Sequence, residues 1–121
     1  MLKLNSLRAQ EDKLYAKAIE IIKANKDLQL HVNVIVCAMD LADILRQYKT
    51  DDQDFKVIQL LGMRTFNAFG ASYKLALSGY NQNSALIMRD IIETAFLLNL
   101  FHGEKSLITK WRTSDKKAQK K

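Results

Sequence analysis

The chain has 121 residues, 48% hydrophobic and 26% charged, with a single cysteine and no proline. That is apolar material for one globular core; one cysteine excludes an internal disulfide, and the lack of proline suits long helices with short connections. The formal charge of +6 sits at the ends: residues 1–26 carry six Lys/Arg against three acids, residues 27–103 six against eight, and residues 104–121 seven against two, balances of +3, −2 and +5 that exclude a continuous basic face along the middle.

The opening MLKLNSLRAQEDK lacks the apolar core of a signal peptide. No run of about 18 uncharged apolar residues occurs, so no transmembrane helix and no membrane partner are expected. Residues 2–25 read as a first helix, with Leu4, Leu7, Leu14, Ala18, Ile21 and Ile22 at helical spacing. Lys3, Arg8, Glu11, Lys13, Lys17, Glu20 and Lys23 fill its other side as a solvated face.

Asn25-Lys26-Asp27 is a plausible break. Beyond it, Leu30-His31-Val32-Asn33-Val34 alternates as a strand would, but no second strand exists to pair with it. Val32, Ile35, Val36, Met39, Ala42 and Leu45 also satisfy a helix, and residues 28–48 are predicted helical. Cys37 is expected to be a small buried hydrophobe in a reduced, cytoplasmic compartment. Asp40 and Asp43 share a helix face, but no His or Glu completes a metal-binding set at their spacing. No cofactor motif is present either: the chain has no glycine-rich phosphate loop, no CxxC and no HExxH.

Thr50-Asp51-Asp52-Gln53 reads as a capping box, Thr50 capping and Gln53 reaching back. The third helix runs to about Leu77 on a stripe of Phe55, Ile58, Gly62, Phe66, Phe69, Tyr73 and Leu77, read as core. Gly62 and Gly70 inside it suggest the close approach of another helix. Ser78-Gly79 ends it, Gly79 suiting the left-handed cap position. Asn81 or Asn83 can cap the fourth helix, which the short connection makes an antiparallel neighbour of the third.

That fourth helix, closed by His102-Gly103, is apolar over most of its circumference, which predicts a central place in the bundle. Its charges are Arg89, Asp90 and Glu93. Arg89 and Glu93, at i and i+4, project from one face flanked by Leu86, Leu97 and Leu100. They are therefore expected to be partly buried and to lock the fourth helix onto the second or third. Glu104 to Arg112 can form a short fifth helix burying Leu107, Ile108 and Trp111. Residues 1–113 form one domain in this reading, and 114–121 a basic tail that frays.

From Ala71-Ser72-Tyr73 through Gly79-Tyr80 to Ser84-Ala85-Leu86-Ile87-Met88-Arg89-Asp90-Ile91-Ile92-Glu93, the sequence resembles a widespread, uncharacterised and mainly bacterial family of helical proteins. In that family a glycine turn precedes a helix bearing an arginine and, four residues later, a glutamate. The resemblance covers residues 66–112, with Trp111 fitting as well. The family's fold is similar to the HEPN (higher eukaryote and prokaryote nucleotide-binding) bundles. Many HEPN proteins are metal-independent ribonucleases of toxin or phage-defence systems. Their site pairs an arginine, often followed by Asn or Asp, with a histidine four to six residues on. Arg89-Asp90 matches the first half, which makes Arg89, Asp90 and Glu93 the catalytic candidates. Thr94, Ala95 and Phe96 occupy the histidine window, and His102 lies further along.

The expected architecture is all-α: an up-and-down bundle of four long helices plus a short C-terminal one. The expected function is a non-enzymatic interaction module that self-associates as a homodimer. The alternative is a HEPN-like RNA-binding or RNA-cleaving protein, whose RNA contacts would be Lys110, Arg112, Lys116 and Lys117, or which would act with a small partner protein.

Overall fold

The computed structural model describes residues 4–118, with side chains as far as Ser114. Five helices and no strand occur among them: α1 (Leu4–Ala24), α2 (Lys26–Gln47), α3 (Gln53–Leu77), α4 (Asn81–Gly103) and α5 (Ser106–Ala118). The stretch Leu30–Val34, which alternates as a strand would, lies inside α2. There, i to i−4 bonds satisfy the backbone that a lone strand would leave unpaired.

Local chemistry sets the joints. Asn25, the single residue between α1 and α2, accepts hydrogen bonds from the amides of Asp27 and Leu28 at 2.9 and 3.2 Å. The α3 cap is Asp52 rather than Thr50. Asp52 accepts from the amides of Asp54 and Phe55 at 2.9 and 3.4 Å, while the Thr50 hydroxyl accepts from the Asp52 amide. Three adjacent residues can all cap, and the carboxylate nearest the helix wins because its charge also meets the positive helix end. At the other end of α3, Gly79 has φ 91°, and the amides of Gly79 and Tyr80 donate to the carbonyls of Ala76 and Leu75. This is the Schellman closure expected of a glycine at that position. Neither Asn81 nor Asn83 caps α4. The cap residue is Tyr80, which offers no side-chain bond, and its carbonyl accepts from the Ser84 amide.

The packing order differs from the sequence expectation in one respect: α3, not α4, is the central helix. α3 touches all four others, whereas α4 touches only α3 and α5, and no α-carbons of α2 and α4 come within 8 Å. The inner face of α4 packs on α3, while its outer face, where Leu86, Ile92, Phe96 and Leu100 lie beside the charged Arg89 and Glu93, stays open. The core lies at one end, where Val57 and Leu61 of α3 meet Phe101 of α4 and Ile108 of α5. Phe101 and Trp111 pack edge to face there, with centroids 6.2 Å apart. On α3 the buried positions are Val57, Leu61, Ala68, Ser72 and Leu77, so most of the expected aromatic stripe is half-buried at the margin of the core.

At the opposite end of the α3–α4 contact the buried residues are polar and small. Ser72 and Ser84 face each other with hydroxyls 3.1 Å apart, and the Ser84 hydroxyl donates to the Ser72 carbonyl at 2.8 Å. Each buried hydroxyl thereby finds a partner. Gly62 and Gly70 lie under Leu45 and Met39 of α2, at 3.5 and 3.6 Å from where a β-carbon would stand. That is ordinary contact, so side chains rather than backbone approach them and the packing does not require glycine there.

α1 contributes no buried residue. Its expected apolar stripe is half open, Leu4, Leu14 and Ile21 being exposed. It is held at the α3–α4 turn, where the Tyr80 hydroxyl donates to Glu11 at 2.5 Å and Leu14 lies against Gly79. α5 continues to Ala118, so the backbone is helical into the segment expected to fray. By length and composition alone α2 would pass for a membrane-crossing helix, with a mean hydropathy of 1.5 over 18 residues; Asp40 and Asp43 interrupt its apolar run without lowering the average enough.

Candidate interaction surface

The charged triplet on α4 separates into two unrelated contacts. Arg89 and Glu93 pair with each other at 3.1 Å, their side chains 77% and 61% exposed. The expectation that this pair is partly buried and ties α4 to a neighbour is therefore incorrect. The charged residue that ties α4 to α3 is Asp90. It accepts a forked pair of bonds from the Arg64 guanidinium of α3, the Nε contact measuring 3.0 Å. This bond, with the carboxylate charge, raises the Arg64 pKa above its ordinary value. One helical residue is a rotation of about 100°, enough to turn Asp90 inward while its neighbour Arg89 points out.

The candidate catalytic residues do not converge on a pocket. Asp90 is neutralised by Arg64 and Arg89 by Glu93. His102 is thirteen residues from Arg89 on the same helix, or about 20 Å along its axis, so the two do not meet within one chain. His102 instead borders a cleft of about 490 Å³ formed with Asp54, Phe55, Phe101 and Lys105. Asp54 is occupied there by Thr109 at 3.1 Å and Arg112 at 3.3 Å. Its partners leave the cleft an apolar floor with scattered polar edges.

The two candidate RNA contacts with described side chains also diverge. Lys110 is exposed, whereas Arg112 turns inward to Asp54, and its Nε is buried without a hydrogen-bond partner. Lys116 and Lys117 lie outside the residues with described side chains. Asp43 of α2 is taken by Arg46 at 2.6 Å and by Gln47 at 3.2 Å. No group of three or more His, Cys, Asp or Glu able to hold a metal occurs among the described residues.

What the chain presents instead is open apolar surface, on two sides of α3. The outer face of α4 shows Leu86, Ile92, Leu100 and, at its centre, Phe96, which is 70% exposed. The outer face of α2 shows Leu30, Val34, Leu41, Ile44 and Tyr48, with Cys37 exposed among them. Cys37 is thus not the buried hydrophobe that its apolar neighbours imply. Between the two helices a cleft of about 210 Å³ runs over α3, bordered by Ile35, Tyr73, Met88 and Ile92. Sequence reading missed the α2 face because it assigned one apolar stripe to that helix, and α2 carries two. The second was readable as a spacing of four and three residues repeated from Leu30 to Tyr48.

Comparison with family models, curated proteins and solved structures finds no match for this chain.

Proposed function

We propose that the chain is a non-enzymatic helical interaction module that works as a self-associated assembly. The observation that carries this reading is surface. A compact monomer of this mass, 13.9 kDa, exposes roughly 6,700 Å². This chain exposes 9688 Å². The excess is comparable to what large obligate interfaces bury, and it includes two apolar helix faces. Open apolar patches of this kind on a small domain mark association sites.

Light scattering on chromatographed protein tests the proposal. The expected result at tens of micromolar is a dimer, with a melting temperature that rises with concentration because association stabilises only the folded chain. A monomer with a concentration-independent melt would sink it.

One observation favours a second reading, an RNA-binding protein of HEPN type. Arg89 is exposed and its ion pair with Glu93 lies within α4, so turning the guanidinium to a phosphate breaks only a surface pair. Binding of labelled single-stranded RNA, lost in Arg89→Ala, would support that reading; no binding at low salt would end it.

A further inference from the structure

The outer seam of α2 has the geometry of a helix-pairing surface. Its residues within the helix, Leu30, Val34, Cys37, Leu41 and Ile44, are separated by four, three, four and three positions, and Tyr48, four further on, is the residue that ends α2. That is the heptad spacing by which one helix lays side chains into the holes of another. All six are exposed, Leu41 by 67% and Ile44 by 66%. The opposite side of α2 is already used, with Ala42 buried and Met39 and Leu45 laid over the α3 glycines.

From Val34 to Ile44 the spacing of three, four and three is also a palindrome. Read from either end it is the same, so the seam can meet a second copy of itself running antiparallel. Val34 then faces Ile44, and the small Cys37 faces the larger Leu41. A two-fold interface requires this reciprocity. The charges beyond the seam agree. Lys26 lies four residues before Leu30, and Asp51 and Asp52 lie just after Tyr48. Antiparallel pairing brings the lysine of each copy to the acidic pair of the other and opposes the helix dipoles. Parallel pairing would stack lysine on lysine, aspartates on aspartates and dipole on dipole.

We infer that the α2 seam is the homodimer interface, formed by antiparallel packing of α2 on α2 from a second copy. This rests on the self-association reading and adds which face is used and in which orientation. A second copy fits the seam better than a lipid bilayer does. The seam is narrow, and the exposed Asp40 flanks it. An unpaired carboxylate on a helix entering hydrocarbon is strongly unfavourable. At a dimer edge it stays in water.

The test compares Leu41→Asp with Phe96→Asp by sedimentation velocity, with circular dichroism confirming that both remain helical. Leu41→Asp should weaken the dimer at least 100-fold, since the two-fold axis places the new charge in the interface twice. Phe96→Asp should leave it intact. Should Leu41→Asp fail to fold, Ile44→Asp replaces it. Orientation is read in a Cys37→Ala background by mixing single-cysteine Val34→Cys and Ile44→Cys chains under mild oxidation. The mixed disulfide should dominate, and Val34→Cys linked to itself would overturn the antiparallel arrangement. A dimer broken by Phe96→Asp but not by Leu41→Asp would refute this interface while leaving self-association standing. A wild-type monomer would refute both. A monomer that binds phosphatidylcholine–phosphatidylglycerol vesicles through α2, losing them in Leu41→Asp, would show lipid as the occupant and also overturn the inference.

Discussion

Replacing Arg89 with alanine discriminates between the sequence expectation and the observed geometry. Were Arg89 a buried lock between helices, its loss would strand an acid in the core, at about 3–5 kcal/mol. In the structure the pair is an exposed i,i+4 contact within α4, and such pairs contribute only about 0.3–0.5 kcal/mol. For a domain of this size that is a shift in melting temperature on the order of 2 °C. Leu61→Ala supplies the yardstick, because Leu61 is 2% exposed and large-to-small core changes cost about 2–5 kcal/mol. Thermal melts followed by circular dichroism, all at one protein concentration, give both values. A loss near 10 °C for Arg89→Ala would refute the reasoning. It would mean that the outer face of α4 is covered in solution and that Arg89 is paired inside that contact.

Three further outcomes are expected. Gly70→Ala should stabilise the fold by up to about 1 kcal/mol, since the added β-carbon meets Met39 at an ordinary 3.6 Å; destabilisation in a denaturant melt would show that the α2–α3 packing is tighter than this. The Tyr80 pKa is raised, first by its hydrogen bond to Glu11, then by burial and by the carboxylate charge. The protonated hydroxyl is the favoured form, so its contribution is complete below about pH 10 and lost as the pH rises through the higher folded value. Hydrogen exchange in α1 should accelerate over that range in the wild type, while Tyr80→Phe, lacking the bond, should exchange fast already at neutral pH; equal exchange in both proteins at neutral pH would rule the bond out as the tether. If the chain binds single-stranded RNA through its basic ends, the logarithm of affinity should fall linearly with the logarithm of salt, and Lys110→Ala should reduce the slope by about 0.7; an unchanged slope would remove Lys110 from the contact.

The helices themselves were legible because their signals are local. Apolar periodicity, the Asn25 and Gly79 breaks and the absence of proline all act within a few residues, and each joint falls within a few residues of its expected place. What decides the surface is not local. Asp90 finds Arg64 twenty-six positions away, whereas the visible pattern, Arg89 with Glu93, lies within one helix. Both patterns are valid helix chemistry, and only the rotation of α4 against α3 selects which charge faces α3. The same holds for α4 as a whole. An apolar circumference says that a helix has two faces fit for burial, but not that both are buried by its own chain.

This last point bears on how such a chain can work. With α3 as the only shared neighbour, α2 and α4 each pack one face against it and leave the other open. The α3 side of α2 is formed by Ala42 and the half-buried Val32, Ile35, Met39 and Leu45. Its outer side carries a second apolar set, Leu30, Val34, Leu41 and Ile44, at heptad spacing. A sequence selected only to fold as a monomer has no use for that second apolar side, since apolar side chains left in water contribute no burial energy. Bulk on the outer side of α2 stabilises the chain only when something covers it, which ties the stability of the fold to the assembly it forms.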